Sequence, residues 1–139
     1  MKLLFDSNVW LSGFVARGLC ADLLRLALQH HGRAGFELLL CATVRDEVLR
    51  ILRDKFKATD AGLDAARATM ASAREIDNGH WQPPADFPDP DDVPIVAAAL
   101  AAGADLFVTG DKALLELTAV QGLPMIAPRE AYLRLRGLA

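Results

Sequence analysis

Residues 2–8 read Lys2-Leu3-Leu4-Phe5-Asp6-Ser7-Asn8, a short apolar run that stops on an acid and two further polar side chains. A continuous apolar run of this length suits a strand buried on both faces, as in a parallel sheet. Its polar ending has two readings. Asp and Asn favour turns and helix starts, because their side chains bond nearby backbone groups. In α/β folds, the carboxyl ends of parallel strands also open onto the crevice where ligands bind. The rest of the chain decides between them.

The pattern recurs downstream. Residues 36–41, FELLLC, residues 105–109, DLFVT, and residues 123–126, LPMI, are further apolar runs. Between them the spacing is helical. Leu19, Leu23, Leu26 and Ala27 predict a helix over 19–30, and Val44, Val48, Ile51 and Leu52 one over 44–56. A third starts at 59 or 60 and carries Leu63, Ala66, Met70 and Ala73. Others are expected over the Ala-rich 93–102, over 113–117, and over 128–135, where Pro128 suits a position near the helix start. Residues 75–81 are ambiguous and can hold a short strand, and 82–92, QPPADFPDPDD, read as an internal loop. Strands alternating with helices predict an α/β fold whose parallel sheet is covered on both faces.

The 139 residues suit one domain over 1–139, and a composition 53% hydrophobic and 24% charged supports a sizeable core and excludes disorder. A net charge of -3 argues against nucleic-acid binding through an overall basic surface. It leaves a nucleic-acid enzyme open, because clustered catalytic acids lower the total. Cys20 and Cys41 lie in apolar stretches without zinc-type spacing and read as buried, reduced thiols. No signal-like segment opens the chain and no apolar run reaches about 18 residues. The expectation is a cytoplasmic protein with no membrane association.

Four acids stand out. Thr43 is a good N-cap with Asp46 placed to reach back, so Glu47 is free of capping and lies beside the apolar stripe of its helix. Asp92 heads the face carrying Ile95, Val96 and Ala99, while Asp91 is available as the cap. Asp111 follows LFVTG and Asp6 follows KLLF; each also suits an N-cap. All four can converge on one edge of the sheet. Two carboxylates about 4 Å apart repel by about 4 kcal/mol at an effective dielectric of 20. Such a cluster needs protons or cations, and hard oxygen ligands suit Mg²⁺ or Mn²⁺. Zinc is disfavoured, since His30, His31 and His80 read as structural or surface residues.

FDSNVWLSG, VRDEVLRIL, DPDDVPIVAAAL, LFVTGDKALLEL and APREAYL together resemble the PIN-domain ribonucleases, in that family's order and over nearly the whole chain. The likeness is strongest to the branch of toxins of toxin–antitoxin pairs, the VapC-type toxins. It implies a three-layer α/β/α sandwich with a central, mainly parallel sheet. It implies that Asp6, Glu47, Asp92 and Asp111 form a catalytic, metal-binding site, with Asn8 and Thr109 in support. It implies RNA as substrate, Mg²⁺ or Mn²⁺ as cofactor, a homodimer and a cognate antitoxin. Ser7, Trp10 and Ala127 depart from the usual Thr, aliphatic residue and Ser of the family, and none of these departures falls on one of the four acids.

Candidates for holding RNA are Lys112 beside Asp111, Arg45 and Arg50 on the helix of Glu47, and Trp10, which can stack on a base but is more often a core residue. Arg45, Arg50 and Arg53 read as one face, followed by Lys55 and Lys57, and a solvated charged face is an equal reading. A haloacid-dehalogenase-type phosphatase needs a second acid where Asn8 stands, and a receiver domain needs an acidic pair after the first strand that is not evident. A non-catalytic or housekeeping RNA-binding module of the same fold is the alternative from another class.

Overall fold

The computed structural model describes residues 1–137, so the last two residues of the expected 1–139 domain lie outside the described residues. The strands are β1 (Lys2–Phe5), β2 (Glu37–Cys41), β3 (Arg74–Ile76), β4 (Leu106–Val108), β5 (Ala119–Val120) and β6 (Leu123–Ile126). The helices are α1 (Ser7–Val15), α2 (Leu19–His30), α3 (Ala42–Asp54), α4 (Asp60–Met70), α5 (Val93–Ala101), α6 (Lys112–Glu116) and α7 (Pro128–Arg136). The strands form one sheet in the order β3-β2-β1-β4-β6-β5. Every pairing is parallel except β5 with β6. This is the expected three-layer α/β/α arrangement with a mainly parallel sheet.

The centre of the sheet explains its register. Leu4 stands opposite Leu39 on one side and Phe107 on the other, and all three are fully buried. Burying such side chains contributes roughly 1.5–3 kcal/mol each, and a one-residue slip would turn each to the wrong face. β1 is also where the strand order reverses. The chain moves from β1 to β2 and β3 on one side, then returns to place β4 on the other. Ligand crevices of open α/β sheets form at such a switch point, outside the carboxyl ends of the strands.

Local structure departs from expectation in three places. Residues 7–15 form α1, which the sequence pattern did not predict. Ser, Asn and Gly are poor helix formers. The helix exists because Asp6 caps it, Val9 and Trp10 are buried, and Gly13 admits α2 so closely that a Cβ there would stand 3.1 Å from Leu24. Second, α3 starts at Ala42 rather than 44, after Cys41, so Thr43 is inside the helix and caps nothing. Third, β5 pairs with β6 across a tight hairpin in which Gln121 and Gly122 both take positive φ, 52° and 81°. The short strand anticipated within 75–81 is β3, which begins one residue earlier. Cys41 is a buried free thiol as expected, whereas Cys20 is only partly buried.

Candidate active site

Asp6 lies between two central strands. Its N–H donates to the Val108 carbonyl at 2.9 Å, so the turn after β1 is fastened to β4. Its Oδ1 accepts from the Ser7 N–H at 2.8 Å. Its Oδ2 accepts from the Thr109 hydroxyl at 2.7 Å and from Asn8 Nδ2 at 3.2 Å. The carboxylate is 4% exposed, and burial pushes its pKa up. The bonds from Thr109 and Ser7 pull it back, and the nearby charges of Glu47 and Asp111 push it up further.

Asn8 and Thr109 join the ends of β1 and β4 into one polar unit. Asn8 Oδ1 accepts from the Gly110 N–H at 2.8 Å, while its Nδ2 reaches both Asp6 and Thr109 Oγ1. Thr109 Oγ1 accepts from the Asp111 N–H at 3.0 Å. The fully buried hydroxyl therefore gives its proton to Asp6 and fills both lone pairs. A Cβ on Gly110 would stand 3.3 Å from Asn8 Oδ1, which is why a small residue suits this crossing.

The other acids arrive on separate elements. Asp111 caps α6, its Oδ1 accepting from the Ala113 N–H at 2.8 Å, and its Oδ2 has no hydrogen-bond partner among the described residues. Asp92 holds the N-cap position of α5 but makes no capping bond. Asp89 does that work one turn earlier, accepting from the Asp91 N–H at 2.9 Å at the start of a 3-10 turn over Pro90–Asp92. The cap is thus Asp89, not Asp91, which is exposed. Because α3 starts early, Glu47 sits in its second turn rather than its first. Neither the Glu47 nor the Asp92 carboxylate has a hydrogen-bond or ion-pair partner among the described residues, although the Asp92 N–H donates to the Asp89 carbonyl at 3.1 Å.

These acids feel one another. Burial raises the pKa of Asp92 to about 7, reinforced by the charges of Asp6, Asp89, Asp111 and Glu47. Asp89 was not foreseen as a neighbour. An Asp three residues before the helix-opening Asp is the signal that places it there, because the Asx cap folds the chain back.

Among the described residues, no three of these side chains are drawn into a ready-made metal cage. The donor set nonetheless fits a hard divalent cation. It comprises the Glu47 and Asp92 carboxylates and Asp111 Oδ2, which accept no hydrogen bond among the described residues, beside the hydrogen-bonded Asp6 carboxylate; an all-oxygen set of this kind suits a hard cation. His31 is occupied elsewhere, its Nδ1 accepting from the Leu38 N–H at 2.9 Å.

Two expected RNA contacts are corrected. Trp10 is fully buried, packed edge-on against Phe5 at 6.1 Å and against Phe14 at 6.0 Å, so its ring is core and cannot stack on a base. Arg45 and Arg50 do not share a face: five residues turn the helix by about 500°, leaving the two roughly 140° apart. Arg45 pairs with Glu75 at the β3 edge and with Asp46, away from the acids. Arg53 pairs with Asp54 at 2.8 Å. Arg50 and Lys112 are exposed and have no ion-pair partner among the described residues.

No helix among the described residues is long and apolar enough to cross a membrane. No curated protein matches the chain. The sheet order reverses at β1, with acids following β1 and β4 at that reversal; the family model described as PIN domain matches residues 2–113, and the chain belongs to the PIN-domain family.

Proposed function

We propose that this protein is a Mg²⁺- or Mn²⁺-dependent endoribonuclease and the toxin of a toxin–antitoxin pair. PIN domains are generally nucleases and typically use divalent metals. The observation that carries the reading here is that Asp6 feels the charges of Glu47 and Asp111, and Asp92 those of Asp6, Asp111 and Glu47, with the four acids on four separate segments of the chain. When bound, a divalent cation supplies charge neutralisation at phosphorus and an activated water for in-line attack.

Asp6 and Asp111 are the most direct candidate ligands, with Glu47 and Asp92 completing the set directly or through water. Thr109 and Asn8 hold Asp6 in one orientation. Asp111 keeps one oxygen on its own helix and turns the other outward. Lys112, at the first position of α6, is placed to meet a phosphate near Asp111. Attack by water rather than by the RNA 2′-hydroxyl leaves a 5′-phosphate and a 3′-hydroxyl.

The test is cleavage of a mixed RNA pool with product end-group analysis. Excess chelator abolishes cutting and either ion restores it. Full cleavage by chelated protein, or 2′,3′-cyclic phosphate products, refutes the mechanism. The toxin role, the antitoxin partner and the homodimer rest on the resemblance to VapC-type toxins. A small neighbouring reading frame with a DNA-binding pattern supports the first two, and a monomer by light scattering at micromolar concentration refutes the last.

A further inference from the structure

A groove of about 460 Å³ begins at Asn8 and runs between α1 and the far end of α3. Its floor is apolar, with Leu11 and Ile51, and its outer end is formed by Arg50, Lys55 and Phe56. Three features set it apart. Its near end is tied to the acids, because Asn8, which lines it, donates to Asp6. Phe56 is 45% exposed, and its backbone is fixed by an N–H bond to the Ile51 carbonyl at 3.3 Å. Arg50 and Lys55 have no ion-pair partner among the described residues, while Asp54, the acid in the lining, is engaged by Arg53. Lys57 follows at once, so residues 50–57 carry four cations and one anion in a chain that is acidic overall.

The placement follows from helix geometry. Arg50, Ile51 and Asp54 lie three, four and seven residues after Glu47, so they continue its face toward α1. Phe56 stands on the order of 13 Å from Glu47 at 1.5 Å per residue. Negative carboxylates at one end, then cations and a fixed aromatic ring at the other, match a polyanion with stackable bases better than an apolar helix, which would leave Arg50 and Lys55 uncompensated. Lys55 Nζ lies 5.5 Å from the Phe56 ring centroid, so the cation and the stacking face are presented together.

We infer that this groove is the track for the single-stranded RNA flanking the cut, with Phe56 as base-stacking platform and Arg50 and Lys55 as phosphate contacts. This rests on the RNA reading above. These residues position substrate and are remote from the reacting atoms.

Binding is read by anisotropy of a short fluorescein-labelled single-stranded RNA in chelator, and cleavage by steady-state kinetics in Mg²⁺. Phe56→Ala is expected to weaken binding about tenfold, and Phe56→Tyr to restore it. Arg50→Gln and Lys55→Gln are each expected to flatten the dependence of log K on log salt by about 0.7. All should raise KM with kcat within about twofold, and melting curves should match the wild type. RNA affinity unchanged in Phe56→Ala, or no RNA binding by the wild type, overturns the proposal. So does a Phe56→Ala protein that loses a dimer and keeps its RNA affinity, because the groove then joins two copies. Weakened binding in a protein that never cuts RNA upholds the groove and overturns the nuclease reading. Normal cutting with undisturbed binding does the reverse.

Discussion

Replacing Asp92 with Asn should make the metal-free protein more stable, in a manner that depends on pH. Asp92 has a pKa of about 7 in the fold, against 3.8 as its ordinary value. Between those values the native state holds a proton that the unfolded chain has released. The stability this confers is complete below about pH 4 and is lost as pH rises through about 7. Above that, the native protein keeps an ionised Asp92 beside Asp6, Asp89, Asp111 and Glu47. Three units at about 1.36 kcal/mol each set a ceiling near 4 kcal/mol. Asp92 is only half-buried, so solvent screening reduces the expected effect to about 1–2 kcal/mol. Asn cannot ionise and still suits a helix start. With chelator present, the variant and wild type should melt together at pH 4, and the variant should melt about 3–8 °C higher at pH 8. The assay is thermal unfolding across that range, repeated with Mg²⁺, where the wild type should gain more than the variant. A difference that stays constant with pH, or a variant less stable at pH 8, refutes the repulsion.

In single-turnover cleavage of one defined RNA, Asp92→Asn should slow the reaction by at least about tenfold, on the order of 1.4 kcal/mol in the barrier. Asp91→Asn should stay within a few-fold, because Asp91 is exposed and its backbone, not its carboxylate, makes the bond to Asp89; the opposite ranking would reassign the site. Asn8→Ala strips bonds from Gly110, Asp6 and Thr109 at once, and should cost about 1–3 kcal/mol by urea unfolding as well as activity. Unaltered stability would show that the turn after β4 holds itself. Mg²⁺ at about 100 times its Kd should stabilise the wild type by about 2.7 kcal/mol, and Asp6→Asn should blunt that response; a flat titration would mean that the acids share no ion.

Much of this molecule was legible because its strands announce themselves. After their first residues, Lys2 and Glu37, KLLF and ELLLC are continuously apolar, as is LFV, so two-sided burial suits them, and each acid that follows a strand is fixed to the strand's carboxyl end by chain order alone. The positions of Asp6 and Asp111, each just past a strand's carboxyl end, were therefore readable together. Their capping roles were readable too, and both proved real without exhausting the carboxylates. What sequence could not decide is anything that depends on which elements touch. α1 has weak local propensity and exists through tertiary burial of Val9 and Trp10, so the same contact that made the helix removed Trp10 from the surface. The arginines of α3 looked equivalent as a charged run, but α1 on one side and β3 on the other sorted Arg50 into the groove that begins at Asn8 and Arg45 onto Glu75. Asp89 entered the electrostatics of Asp92 only when the 3-10 turn folded it back. Local pattern determines which groups are polar, which are buried and at what period. Charge coupling and surface continuity depend on distance in space, and the parallel pairing of β1 with β4 at the centre of the sheet is what sets the distance between Asp6 and Asp111.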